Sequence, residues 1–194
     1  MTSSGVLEKC AILHCEPFPL FAEELDGLLR ENGVKHLVHL SGIEQLLSRK
    51  PGHEFDILLI DFDQETDRAA TLVRDVRRGK TGLDPFIPVL ATQARGDYDV
   101  ICREMSAGVD CVLLKPFNLQ ELITHLEGII YNQRRFVISA DYVGPDRRLK
   151  KRQEEENILF QVPNRLKLMQ LGKLKPGRIN EWHDEWCRKL QQPS

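Results

Sequence analysis

The sequence predicts an α/β protein in which a doubly wound, five-stranded parallel sheet is covered by helices on both faces. Five short apolar segments indicate the strands, at residues 9–14, 36–40, 56–61, 86–91 and 111–114. Segments with apolar residues at helical spacing alternate with these strands. Because each strand is apolar throughout, both faces of the sheet are expected to be buried, which is typical of parallel strands joined by crossover helices.

Start and stop signals bound the helices between these strands. Pro19 fits the first turn of the first helix, where a missing backbone N–H is not needed. Ser41 and Glu44 have the spacing of a capping box before the second helix, and Asn118 is the expected cap of the last one. Glycines end the first, third and fourth helices, at Gly33, Gly79 and Gly108. A helix therefore follows every strand, as a doubly wound sheet requires.

The 194 residues divide into an acidic body and a basic tail. Residues 1–131 hold 13 Lys and Arg against 21 Asp and Glu, a formal charge of −8, whereas residues 132–194 hold 14 against 8, a charge of +6. We expect a folded domain over residues 7–131 and a basic linker over 132–153. The C-terminal extension over 154–194 is expected to contain a short strand and helices, one of them amphipathic.

The sequence favours a reduced, cytoplasmic environment. Its first residues lack the basic segment followed by an apolar segment that is typical of a secretory signal. It also contains no run of about 18 apolar residues, the length needed to span a membrane. The five cysteines are an odd number and include no CxxC pair. The sequence also lacks GxSxG, HExxH and P-loop motifs, and we therefore expect a protein that is not an enzyme.

Two charged residues end apolar strands of the predicted sheet. Asp61 closes the third strand, and Lys115 closes the fifth and precedes Pro116, where a cis peptide can aim the ammonium group back across the sheet. Carboxyl ends of parallel strands meet at one edge, where such sheets place their sites. An Asp and a Lys there suit covalent phosphoryl chemistry, since the carboxylate attacks phosphorus and the ammonium pairs with the phosphoryl oxygens.

Several spaced motifs carry a resemblance to a known family. They are DILLID ending at Asp61, the segment IPVLAT, AGVDCVLLKPF with Lys115, and the triplet CEP before the first helix. On these motifs, residues 9–131 resemble the flavodoxin-like receiver domain of bacterial two-component response regulators, of which CheY is an example. The segment YVGPDRR at residues 142–148 also resembles a tail motif that follows some stand-alone receivers.

The resemblance implies roles for the matching residues. Asp61 falls on the phosphoacceptor position, Lys115 on the lysine that binds the phosphoryl group, and Pro116 follows the cis peptide. The family also implies a sensor histidine kinase or phosphotransfer protein as the phosphoryl donor, and a Mg²⁺ ion that neutralises the developing charge.

The sequence departs from the family at three places. His14 and Cys15 stand where receivers carry an acidic pair for the metal. Asp61, Glu16 and Asp63 then remain as ligands of a weak Mg²⁺ site, or the protein binds no Mg²⁺. The hydroxyl residue expected beside the phosphoryl group falls on Gln93, with Thr92 one position earlier. Finally, Val112 replaces the fifth-strand aromatic residue that often reports activation.

Three interpretations of function follow. The first is an atypical receiver in phosphorelay signalling, phosphorylated on Asp61 and acting through protein contacts; the second is a pseudo-receiver that binds partners without phosphorylation. The third is a nucleic-acid-binding regulator that uses the basic run 147–152, although no nucleic-acid-binding motif accompanies that run. A downstream protein or a second copy of the chain is expected to contact tail residues, which are Tyr142, Arg147, Arg148, Trp182 and Trp186.

Overall fold

The computed structural model of the protein describes residues 7–49, 54–139, 141–147, 158–170, 181–186 and 188. Its first five strands are β1 (Ala11–Cys15), β2 (His36–Leu40), β3 (Ile57–Asp61), β4 (Val89–Gln93) and β5 (Cys111–Leu114). The helices that alternate with them are α1 (Pro19–Glu31), α2 (Ile43–Leu47), α3 (Thr66–Arg77), α4 (Tyr98–Ala107) and α5 (Leu119–Tyr131). Three short strands and one helix follow, namely β6 (Phe136–Ile138), β7 (Val143–Pro145), β8 (Ile158–Phe160) and α6 (Arg165–Gln170).

The five-stranded sheet has the order β2-β1-β3-β4-β5, and all of its pairs are parallel. Helices α1 and α5 bury one of its faces, through residues such as Leu29 and Leu126. Helices α2, α3 and α4 bury the other face, with Leu46, Val73 and Ala107 in its core. The predicted doubly wound α/β fold is confirmed.

Two local predictions from the sequence differ from the structure. Strand β4 begins at Val89 because the segment before it is a turn, in which the Phe86 backbone N–H donates to Asp84 Oδ1. The capping box at Ser41 and Glu44 is wrong, since α2 begins after Gly42 without a side-chain cap. The cap predicted at Asn118 is confirmed, because its side chain accepts from the backbone N–H of Glu121, and the structure adds the reciprocal bond of a capping box.

The C-terminal extension forms a second, antiparallel sheet of three strands in the order β7-β6-β8. Strands β6 and β7 lie where the charge pattern predicts a linker over 132–153, and that prediction is wrong for these residues. The linker was inferred from charge, but the apolar side chains of Phe136 and Val137 are buried. Phe136 packs with Phe86 and Val162, and against the half-buried rings of β8 and of residues 181–186, which are helical.

Buried and half-buried charges hold this extension against the amino ends of the strands. Arg77 is fully buried and donates to the carbonyls of Gly108, Pro85 and Ile87 and to Asp110. Its guanidinium also lies over the ring of Phe136, which belongs to the extension.

A second contact, between Arg165 and Asp56, ties α6 to the residue before β3. The extension therefore occupies the end of the sheet opposite to Asp61.

Candidate phosphoacceptor site

Lys115 lies at the centre of an acidic cluster at the carboxyl end of the sheet. Its Nζ is 2.6 Å from Asp61 Oδ1, 3.2 Å from Glu16 Oε2 and 3.2 Å from Asp63 Oδ2. The Lys115-Pro116 peptide is cis, as predicted, and the Lys115 backbone N–H donates to the carbonyl of Gln93. This backbone hydrogen bond joins the carboxyl ends of β4 and β5 beside the ammonium group.

Asp61 is buried, and its two carboxylate oxygens have different partners. Oδ1 accepts from Lys115, whereas Oδ2 accepts from the backbone N–H of Asp63 at 3.1 Å. Burial raises the pKa of Asp61 above its usual value, and the hydrogen bond from Lys115 opposes that shift. Burial alone would lower the pKa of Lys115, but the hydrogen bond to Asp61 and the surrounding carboxylates outweigh it and raise that pKa.

Glu16 is the most deeply enclosed acid of the cluster. Its Oε1 accepts from the backbone N–H of Phe18, and its Oε2 faces Lys115. The Lys115 ammonium also lies 4.5 Å from the centre of the Phe21 ring, which packs edge-on against Phe117. Phe21 is a neighbour that the sequence reasoning missed, since its helical spacing indicated only a core residue.

The residues that replace the family's acidic pair are engaged elsewhere. His14 Nδ1 donates to Asp26 Oδ1 on α1 at 2.6 Å, and this Asp was also missed in the sequence. Cys15 is buried, and burial, reinforced by the charge of Asp61, raises the pKa of its thiol to about 12. A thiol that stays protonated is a poor metal ligand, so neither residue completes the acidic cluster.

The two candidates on β4 occupy different positions relative to Asp61. Thr92 is its register partner on the neighbouring strand. Gln93 follows on the opposite face, and its side-chain Nε2 is enclosed without a hydrogen bond to any described residue.

A buried acid near the site had no signal in the sequence. Glu104 on α4 is 0% exposed, and neither of its carboxylate oxygens has a partner in the described part of the chain. Burial, with the charges of Asp63 and Asp61, raises its pKa to about 7. A single Glu within the sequence of α4 gives no pattern that would distinguish it from a surface residue.

The carboxylates around Lys115 are of the type that binds a hard cation, but their arrangement in this structure does not form a metal site. Glu16, Asp61 and Asp63 offer only oxygen ligands, which Mg²⁺ prefers. In the described ranges, however, no group of three or more His, Cys, Asp or Glu side chains could hold a metal ion. The three carboxylates instead surround the ammonium of Lys115.

The residues predicted to bind partners make contacts within the chain. The Tyr142 hydroxyl donates to the Pro145 carbonyl, and the Arg147 guanidinium donates to the Val109 carbonyl before β5. Trp182 and Trp186 are half-buried in the aromatic cluster of the extension. Arg148, the rest of the basic run to residue 152, and residues 178–180, 187 and 189–191 of the predicted amphipathic helix lie outside the described residues.

Comparisons with known proteins show which proteins the chain resembles. No protein-family model matches the chain. Over 136 residues it is 29% identical to the two-component response regulator PhoP of Pseudomonas aeruginosa, a match that spans 69% of this chain and 57% of PhoP. The chain thus spans a little over half the length of that relative.

Solved structures at lower identity share the fold. The chemotaxis protein CheY4 of Vibrio cholerae aligns with a TM-score of 0.54 at 18% identity, over 61% of this chain and 96% of CheY4. The receiver domain of the sensor histidine kinase PA1611 of P. aeruginosa, described with magnesium in its active-site cleft, aligns with a TM-score of 0.51 at 21% identity. That alignment covers 61% of this chain and 98% of the PA1611 domain.

The five-stranded parallel sheet with its flanking helices is the fold of CheY-like receiver domains. This chain is similar in sequence to response regulators such as PhoP, and its C-terminal extension forms a small sheet of its own. None of the helices in the described ranges has the length and apolar character needed to cross a membrane.

Proposed function

We propose that this protein is an atypical response regulator whose receiver domain accepts a phosphoryl group on Asp61. The observation that carries the proposal is the position of Lys115, whose ammonium lies 2.6 Å from Asp61 Oδ1 at the carboxyl edge of the sheet. A sensor histidine kinase or a phosphotransfer protein is the donor that fits this chemistry. Signalling then proceeds through protein–protein contacts.

In the proposed reaction, a carboxylate oxygen of Asp61 attacks the phosphorus of a phosphohistidine or an acyl phosphate. The new P–O bond forms as the bond from phosphorus to the leaving group breaks, and the leaving group takes the electron pair. The ammonium group of Lys115 supplies a positive charge that can pair with the phosphoryl oxygens. The backbone N–H of Asp63 donates to the second carboxylate oxygen of Asp61.

Charge balance makes a further cation important to this reaction. With all three acids ionised, Glu16, Asp61 and Asp63 carry three negative charges against the single positive charge of Lys115. A Mg²⁺ ion held by these carboxylates would neutralise the excess charge as the phosphoryl group arrives. Because the ammonium already contacts all three, Mg²⁺ has to compete with it, and we propose that binding is weak.

A second candidate function is a phosphorylation-independent scaffold. It is favoured by His14 and Cys15, since the first is paired with Asp26 and the second stays protonated, so that neither replaces a missing metal ligand. In that case the ion pairs of Lys115 would stabilise the fold without chemistry. The two candidates differ in one outcome, which is whether Asp61 gains a phosphoryl group.

We further propose a cytoplasmic location, where such donors act. Its support is that the cysteines in the described part of the chain, Cys10, Cys15, Cys102 and Cys111, are all free thiols. We also propose that the C-terminal extension contacts a downstream protein or a second copy of the chain.

The proposal is tested by the intact mass of the full chain after incubation with acetyl phosphate and Mg²⁺. We expect the wild type to gain one phosphoryl group, and Asp61→Asn to gain none. Asp67→Asn is the matched control, because its carboxylate is exposed and belongs to α3 rather than to the site. Failure of the wild type with both Mg²⁺ and Mn²⁺ would favour the scaffold.

A further inference from the structure

The ammonium group of Lys115 has an uncharged neighbour as well as its carboxylates. Its Nζ lies over the ring of Phe21, 4.5 Å from the ring centre. The side chain of Lys115 is only 15% exposed, because the same ammonium also contacts Glu16, Asp61 and Asp63. A cation within about 6 Å of the centre of an aromatic ring is attracted by the electrons on the ring face, and the attraction is stronger when the cation is removed from water. The contact with Phe21 therefore belongs to the stronger kind.

The start of α1 and a second ring hold Phe21 in this position. The backbone N–H of Phe18 donates to Glu16 Oε1 at 3.0 Å, and the helix begins directly afterwards at Pro19. Phe21 thus lies in the first turn of a helix whose start is fixed by an acid of the cluster. Its ring packs against the ring of Phe117, with the two centres 6.0 Å apart and the planes nearly perpendicular. Both contacts restrict where the ring can move over Lys115.

An aromatic ring can hold the ammonium without competing for its charge. Each of the three carboxylates competes with an incoming phosphoryl group for the single positive charge of Lys115. The ring of Phe21 has no net charge, so it can stay in contact while the ammonium pairs with phosphoryl oxygens. Among the described contacts of this ammonium, the ring is therefore the one that the reaction does not weaken.

We propose that Phe21 is a positioning residue for the phosphorylation of Asp61 and that it acts through Lys115. The face of its ring keeps the ammonium at the carboxyl edge of the sheet while a carboxylate oxygen of Asp61 forms its bond to phosphorus. The leaving group departs with the electron pair of the broken bond, and the ammonium turns toward the phosphoryl oxygens. This inference rests on the proposed phosphorylation of Asp61.

Fluorination of the ring separates this role from packing. Fluorine atoms withdraw electrons from the ring face and weaken its attraction for a cation, but they change the size of the ring little. The experiment replaces Phe21 in the full chain by phenylalanine analogues with one, two or three ring fluorines. It measures the initial rate of phosphorylation by acetyl phosphate with Mg²⁺. We expect the rate to fall with each added fluorine, to a total loss of about tenfold, which is the size of a strong cation–π contact.

Phe55 is the matched control for this series. Its half-buried ring also lies beneath a cation, Arg49 at 4.9 Å, but it precedes the amino end of β3 and is remote from the site. Three fluorines on Phe55 should leave the rate unchanged. A rate that stays constant along the Phe21 series, or that falls equally with fluorinated Phe55, would overturn the inference.

Two natural substitutions at the same position complete the test. Phe21→Leu keeps an apolar side chain without a ring, and we expect it to be phosphorylated about as slowly as the chain with three fluorines on Phe21. Phe21→Tyr keeps the ring face, so its rate should be close to that of the wild type. If Phe21→Leu reacts as fast as the wild type, the ring is not needed to position Lys115 and the inference fails.

A second measurement does not depend on phosphorylation. Protons that lie over the face of an aromatic ring resonate upfield, so the protons next to Nζ of Lys115 should be shifted upfield in the wild type. This shift should be lost in Phe21→Leu and kept in Phe55→Leu. A Lys115 resonance that Phe21→Leu does not move would overturn the inference even if Asp61 is phosphorylated. If the shift is present but neither the wild type nor any variant gains a phosphoryl group, the proposed function fails and the positioning role fails with it.

Discussion

Replacing Glu104 by Gln should stabilise the protein at alkaline pH. The wild-type carboxyl is fully buried, and burial followed by the charges of Asp63 and Asp61 raises its pKa from 4.5 to about 7. Between these two values the folded state binds more protons than the unfolded state. The stability contributed by the neutral acid is therefore fully present below about pH 4.5 and is lost as the pH rises through about 7.

The magnitude follows from the difference between the two pKa values. A shift from 4.5 to about 7 corresponds to about 3 kcal/mol, because one pKa unit is worth about 1.4 kcal/mol. Most of this cost, about 2.5 kcal/mol, develops between pH 5 and pH 8. Since Glu104→Gln has no such cost, its free energy of unfolding relative to the wild type should rise by that amount over this range.

Urea unfolding of both proteins at about pH 5, 6, 7 and 8 measures this difference. Asp99→Asn is the control, because an exposed acid on the same helix should show no comparable trend. A difference between Glu104→Gln and the wild type that stays constant to within about 0.5 kcal/mol across the range would refute the reasoning. Glu104 would then be ionised at little cost in the folded protein.

Three further substitutions test the ion pairs of Lys115 and Arg77 and an aromatic contact within the C-terminal extension. Lys115→Met removes the cation from two buried carboxylates, and we expect it to lower the free energy of unfolding by about 3–5 kcal/mol at neutral pH in urea, and by less at acidic pH. Arg77→Met leaves Asp110 buried without its cation, and a loss of similar size should appear in thermal unfolding. Phe160→Ala removes the ring stacked at 4.2 Å on Trp186, and tryptophan emission should shift to the red with a loss of about 1–3 kcal/mol.

Matched surface variants separate these effects from the loss of a side chain alone. Lys80→Met, Arg74→Met and Phe18→Ala alter exposed residues of the same three types, and each should change stability by less than about 0.5 kcal/mol. A surface variant as destabilising as its buried counterpart would contradict the importance given to burial. An unchanged emission spectrum in Phe160→Ala would contradict the stacked contact.

The strands and the centre of the site could be predicted because their signals are local. Each strand is a short apolar run, and Asp61 and Lys115 each interrupt such a run at its carboxyl end. Their convergence then follows from the parallel topology. Asn118 also gave a local signal that the structure confirms, whereas the equally local signal at Ser41 and Glu44 failed because the helix there begins after Gly42.

Buried charges escaped prediction because their burial depends on distant parts of the chain. Arg77 ends a helix, where a basic residue is ordinarily solvated, yet the turn at Pro85, the segment before β5 and the C-terminal sheet enclose it. Glu104 is hidden in the same way by the strands beneath α4. Strands β6 and β7 were missed because the surrounding charges outweighed two short apolar segments, whereas the short strand expected in residues 154–194 is β8.

The most direct test of the central claim locates the phosphoryl group on the chain. After incubation of the full chain with acetyl phosphate and Mg²⁺, borohydride reduces an aspartyl phosphate to homoserine, and peptide mass spectrometry identifies the reduced position. We predict reduction at residue 61 in the wild type and in Asp67→Asn. Reduction at another carboxylate, or at none while a control receiver reacts, would contradict the assignment of Asp61 as the phosphoacceptor.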